Sequence, residues 1–331
     1  ATCHTLLPRP LGEAAQGTGE FPEQVPYLEW KHSVYVRQRG CQSCHMPAVP
    51  EEVAVTSLLG VPRAEVSRHT FVGGNFLMKG ILNRNRTELK VASPPAELDA
   101  SAEKTRLHLQ SESARMSIGT VEVRDGRLLA DLTVTNLAGH KLPTAYPSRR
   151  VWVHLAVRDK DDAVLFESGA VTPEGLIAGN DNDLDAARYE RHHTEIREKD
   201  EVQIYEAIMA DGRGAVTTGL LHAVRYLKDN RILPHGFDKT TAGRDIAVAG
   251  AALEDPDFTG GSDRIRYSID IGNAQGPFRV EASLCYQPVA YRWAMNLRPY
   301  RAAEPERFVR YYAAAASAST VVLTRATARS R

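Results

Sequence analysis

Cys41-Gln42-Ser43-Cys44-His45 reads C-x-x-C-H, and the organisation of the chain follows from that pentapeptide. Two thiols three positions apart can each add to a vinyl group of one haem, and the next residue supplies an imidazole to the iron. Other chemistries also use paired cysteines. A structural zinc site needs two further ligands, and the sequence holds no second C-x-x-C. A thioredoxin-like dithiol belongs in a βαβ context, whereas the flanks of this motif read as helical. The motif therefore predicts haem c held by Cys41 and Cys44, with His45 as the proximal iron ligand.

Working outward, Ala1-Thr2-Cys3-His4 has the form of a second such motif if a cysteine precedes Ala1. Cys3 would then attach a second haem and His4 would ligate it, which predicts a protein extending upstream with two or more haems. The chain opens without a charged and apolar leader, and because cleavage removes such a leader its absence does not argue for the cytoplasm.

The stretch Thr2–Thr5, Phe21-Pro22-Glu23-Gln24-Val25-Pro26-Tyr27-Leu28-Glu29-Trp30 and Cys41–Pro47 resembles the haem-binding part of exported multihaem c-type cytochromes. His69-Thr70-Phe71-Val72-Gly73-Gly74-Asn75 and Gly139-His140-Lys141-Leu142-Pro143-Thr144, followed by Pro147-Ser148-Arg149-Arg150, resemble the same group. The resemblance implies a periplasmic or extracellular location. It also implies electron transfer through bis-His haems, with other haem proteins or subunits of a redox complex as partners.

An electron-transfer haem wants a sixth ligand, commonly a second neutral His or a Met. Nine of the 11 histidines lie outside the two motifs. His32, on a helix expected from about Gln24 to Arg39, is a candidate. So is His69, which precedes Gly73-Gly74, where missing side chains allow a flat macrocycle to approach. His140 is a third, in a loop freed by Gly139 and stiffened by Pro143. His154 reads as solvated, the pair His192-His193 as a surface loop, and His108, His222 and His235 have no supporting context. Met46 follows the proximal His too closely to reach the opposite face of the same iron.

Composition bounds the rest. The 331 residues carry 41 basic and 41 acidic side chains, so the formal charge is zero and general nucleic-acid binding is disfavoured. No segment approaches the roughly 20 apolar residues of a membrane span. Hydrophobic period divides the chain. Residues 1–115 read as helices and loops around haem, with Phe76, Leu77, Met78, Ile81 and Leu82 on one helical stripe and a second helix after Ser93-Pro94-Pro95. From Ile118 the period becomes 2, with Asp125-Gly126 marking a hairpin and Val151, Val153, Leu155 and Val157 facing one way against Trp152, His154 and Arg158. Residues 116–331 therefore predict an antiparallel β-sandwich with helical insertions, including a helical stretch near Gly219–Asp229 and a final helix over about 305–316. The fold class is α+β.

Two smaller features stand apart. Asp181, Asp183 and Asp185 alternate as oxygen ligands do in a calcium loop, although the glycine and twelfth-position Glu of an EF-hand are missing. Cys285 falls on the polar side of its strand, beside Arg279, Glu281 and Ser283. Three function classes remain open. The leading one is an electron carrier. The second is a multihaem oxidoreductase acting on a small nitrogen or sulfur compound, with Lys141, Tyr146, Arg149 and Arg150 as pocket candidates. The third is a haem-bearing structural subunit of a larger complex, homo-oligomer or filament.

Overall fold

A computed structural model describes residues 4–12 and 19–330 of the chain. Its N-terminal third holds short helices and coil: α1 (Pro26–Lys31), α2 (Cys41–His45), α3 (Phe76–Arg84) and α4 (Pro95–Glu112). The helix expected over 24–39 breaks at Ser33. That hydroxyl donates to Trp30 O at 2.7 Å and accepts from Tyr35 N at 3.2 Å, ending α1 and capping a separate 3-10 turn over Val34–Arg37. Between α2 and α3 lie only two short paired strands, β1 (Val53–Ala54) and β2 (Pro62–Arg63).

Strands then dominate. In chain order they are β3 (Ala114–Arg124), β4 (Arg127–Asn136), β5 (Arg150–Arg158), β6 (Val164–Ser168), β7 (Glu195–Ile196), β8 (Ile204–Tyr205), β9 (Ala207–Asp211), β10 (Val216–Thr217), β11 (Ala223–Asp229), β12 (Ser262–Asp270), β13 (Arg279–Gln287) and β14 (Val321–Arg329). Two helices, α5 (Tyr291–Met295) and α6 (Ala303–Ala315), separate the last two strands. The sheets run β3-β4-β12-β7, β14-β13-β5-β6 with β8 also on β5, and β10-β9-β11. Pairing is antiparallel except between β12 and β7. The architecture is thus α+β with strands predominating.

Asp125 and Gly126 turn β3 into β4 with φ of 51° and 74°, the double left-handed turn that matches strand twist. Along β4 every second residue is buried, and Leu128, Ala130, Leu132 and Val134 face Val153, Leu155, Val280 and Leu284 of the second large sheet within one core. Phe76, Leu77 and Ile81 of α3 and Ala102 and Leu109 of α4 belong to that same core.

Three sequence expectations change here. β5 is buried on both faces: Trp152 is fully buried, packed with Ile177, Val202, Ile204 and Cys285 under the segment that crosses the sheet. The same cover buries Cys285 and raises its thiol to about 12, chiefly by desolvation. Near 219–229 only Leu220–His222 makes a helical turn, and the rest is strand β11, because it pairs with β9.

Candidate functional site

The C-x-x-C-H motif forms α2, one helical turn opened by Gly40, and Cys41 and Cys44 are free, exposed thiols at i and i+3. That spacing places them on one face of the turn. His45 is half-buried at its end, and its Nδ1 lies 2.6 Å from Val72 O. A carbonyl can only accept, so Nδ1 carries the proton and the Nε2 lone pair is left for a metal. Gly74, close behind Val72, gives its carbonyl to the Tyr286 hydroxyl at 2.9 Å, and a Cβ at Gly74 would collide with that hydroxyl. Asn75 then caps α3 through Met78 N.

His140 stands across from His45. The two ring centres are 6.2 Å apart and their planes differ by 20°. The His140 Nδ1 donates to Lys141 O at 3.0 Å, so its Nε2 lone pair is also free. Burial lowers its basicity, which keeps the ring neutral. Two imidazoles sharing one metal ion, with bonds of about 2 Å each, stand roughly 6 Å apart centre to centre. The donor set, two exposed thiols and two imidazoles whose Nδ1 atoms are each tied to a carbonyl, fits a covalently attached porphyrin.

The loop that carries His140 is pinned on every side. Asn136 Nδ2 donates to His140 O at 2.8 Å and Ile232 O at 2.9 Å, and Leu142 exchanges backbone hydrogen bonds with Ile232. Lys141, expected at a pocket wall or surface, is fully buried with its Nζ 2.7 Å from Asp229 Oδ2. Gly139 is closely approached: a Cβ there would lie 3.1 Å from the Trp30 ring, a tight contact that the ring would have to relieve.

Sequence reasoning passed over His108. On α4 it lies one turn beyond buried Thr105 and beside buried Leu109, and its ring centre is 6.3 Å from that of His45, tilted by 47°. Burial foremost, then the neighbouring His45, lowers its basicity against the pull of Glu112. The half-buried His108 stands beside the buried positions Thr105 and Leu109 of α4, and its sequence neighbours alone carry no signal of that.

The other nominated residues fall elsewhere. His32 packs edge-on to Phe237 and its Nε2 faces Asp238 O at 3.1 Å. His69 is exposed beside Phe71, and its segment meets His45 through Val72 instead. His4 is exposed, and Cys3 lies outside the described residues. Tyr146 packs near Trp293, and Arg149 donates to Thr144 O.

The expected calcium loop is closed by a guanidinium. Arg150, buried rather than pocket-lining, holds both oxygens of Asp183 at 2.7 and 3.0 Å and so supplies the charge a cation would bring. Asp185 is exposed and caps Ala187 N, and the Asp181 side chain lies outside the described part.

His192 and His193 are buried, against the surface loop expected of them. His192, Asp255 and Asp263 each bring one donor atom within 4.8 Å of the others. Gln203 Oε1 accepts from His193 N, which turns its Nε2 toward His192 Nδ1 at 2.9 Å. Asn230 Oδ1 accepts from Glu206 N, which turns its Nδ2 toward the same Nδ1 at 3.1 Å. Two donors on Nδ1 leave the proton on Nε2, where it bonds Asp255 at 2.8 Å. The group is therefore a hydrogen-bonded dyad rather than a ready metal triad.

No protein-family model and no curated protein sequence matches the chain. Among solved structures it is similar to a penta-heme cytochrome c552 from Thermochromatium tepidum, with 14% identity and a TM-score of 0.48 over 95% of this chain and 52% of that one. The chain spans about half the length of that structure. Among the described residues no helix is long and apolar enough to cross a membrane.

Proposed function

We propose that the protein is an exported c-type cytochrome that carries electrons. Cys41 and Cys44 would hold one haem by thioethers, His45 would ligate its iron and His140 would fill the sixth position. The observation that carries this reading is the facing pair of imidazoles, each with Nδ1 tied to a carbonyl, at 6.2 Å and 20°. When bound, haem supplies a one-electron Fe(III)/Fe(II) couple. The chain's own part is to fix the tautomer of each imidazole, and with both bound to iron no position would be left open for substrate. A filled coordination sphere favours a carrier over an oxidoreductase.

A second reading gives the sixth position to His108, favoured by its 6.3 Å separation from His45. The test is purification after expression with c-type haem maturation. Intact mass counts porphyrin adducts, including any through Cys3, and the ferrous spectrum is taken with and without carbon monoxide. A haem-bearing chain that ignores carbon monoxide supports the carrier. If only His108→Ala opens the iron, the second reading replaces the first. A chain without porphyrin mass sinks both.

A further inference from the structure

We propose that Glu29 is the positioning residue for the sixth ligand: without touching the iron, its carboxylate fixes the exit of the His140 loop and thereby the separation of His140 from His45. This rests on the coordination reading above.

Glu29 is fully buried on α1, a helix of 6 residues, among charged partners rather than apolar ones. Its Oε2 accepts from Lys141 N, the amide directly after His140, at 3.1 Å and from the Thr144 hydroxyl at 2.5 Å. One carboxylate oxygen thus grips both sides of the turn that follows the ligand. The other oxygen lies 2.9 Å from Arg231, which is doubly bonded to Asp229, itself bonded to Lys141 Nζ. Two anions and two cations form a quartet without net charge. Removing the charge of Glu29 would leave Lys141 and Arg231 sharing a single carboxylate, and the repulsion would fall on the residue next to His140.

α1 also holds the proximal side. Trp30, adjacent to Glu29, donates its indole Nε1 to Arg39 O at 2.9 Å, two residues before Cys41, and its ring abuts Gly139. Tyr35, just beyond, donates its hydroxyl to Leu137 O at 3.0 Å. A single short segment therefore sets both halves of the site. The hydrogen bond from His140 Nδ1 ends on Lys141 O, so a shift of Lys141 rotates the imidazole directly.

The experiment uses the haem-bearing chain and four variants: Glu29→Gln, Thr144→Val, His140→Ala and, as a buried-carboxylate control outside the quartet, Asp263→Asn. Haem per chain is measured by pyridine haemochrome and open iron by carbon monoxide binding to the ferrous form. Glu29→Gln is expected to keep full haem content and to raise the carbon-monoxide-reactive fraction at least about tenfold toward that of His140→Ala. Thr144→Val should fall between, and Asp263→Asn should match the parent. The proposal is overturned if Glu29→Gln and Thr144→Val stay as unreactive as the parent, even with lowered melting temperatures. Should Glu29→Gln fail to fold, Thr144→Val decides alone. If His140→Ala is itself no more reactive than the parent, the coordination reading has failed and Glu29 loses its role with it.

Discussion

His140 and His192 are both withdrawn from solvent beside carbonyls, amides and carboxylates, yet their hydrogen bonds run in opposite directions. At His140 the Nδ1 donates to Lys141 O, so Nε2 keeps a free lone pair. At His192 the Nδ1 accepts from Gln203 and Asn230, so Nε2 keeps its proton and gives it to Asp255. The same side chain is left with a lone pair free to ligate in one place and serves as a structural donor in the other. The deciding feature is the polarity of the group opposite Nδ1, which proximity to carboxylates does not reveal.

The strongest way to break this comparison is to remove each ring. His140→Ala should convert a carbon-monoxide-inert ferrous haem into one that binds the gas in nearly every molecule, whereas His192→Ala should leave the haem spectrum unchanged. Difference spectra of the two variants decide it. A spectral change in His192→Ala would erase the distinction.

Next in size is stability. His192→Ala strands one N–H each of the Gln203 and Asn230 amides and one Asp255 oxygen in the interior, with a loss of about 2–4 kcal/mol in urea unfolding. Added Zn²⁺ or Co²⁺ should give no stoichiometric binding signal at this cluster in calorimetry of the parent protein. A tight equivalent lost in Asp263→Asn would show that the amides yield to a metal after all.

Acid sharpens the contrast further, because the two regions respond with opposite sign. Burial alone would raise the Asp229 carboxyl, but Arg231 and Lys141 overcome it and hold it down to about 2. The folded state therefore prefers the anion. This contribution is complete above the ordinary carboxyl range and disappears as pH falls from about 4 toward 2, on the order of 2 kcal/mol. Asp263 is raised, mainly by burial, so its folded form favours the proton and stability is lost as pH rises through its folded value. Unfolding midpoints measured across acid pH should show the Asp229 loss, and Asp229→Asn should flatten it.

The smallest expected effect is Asp263→Asn itself. Tyr205 and Gln203 both donate to one oxygen, at 2.7 and 3.0 Å, and the other oxygen is buried without a hydrogen-bond partner among the described residues. A neutral amide that keeps the accepting oxygen should change stability by less than about 1 kcal/mol near pH 7. A loss several times larger, read by thermal unfolding, would mean that the charge itself is needed.

Much of the fold was legible because local chemistry dictated it. The Asp125-Gly126 turn, the alternation along β4 and the apolar stripe of α3 all follow from short-range pattern. The faces of β5 were not legible, since period 2 tells which residues share a face but not whether a later segment covers the second one. The segment holding Ile177, Val202 and Ile204 does so, burying Trp152 and Cys285. At the site, His140 was visible from its Gly-His-Lys-Leu-Pro loop. His108 was passed over because a histidine on a helix is ambiguous until the helix has a neighbour. Arg150 looked like a pocket residue and Asp183 like a calcium ligand, because the 33 positions between them hid their pairing.

What the sequence determined by itself is chemical: a pair of thiols and an imidazole at fixed spacing, because five consecutive residues carry the whole instruction. Only the tertiary structure decided which distant imidazole faces His45 and which nitrogen it offers. Those depend on Val72 O, Lys141 O, Glu29 and Asp229, groups from separate parts of the chain that meet only after the core has closed. Backbone carbonyls, which every residue has, leave no mark in a sequence, yet they set the tautomers on which ligation depends.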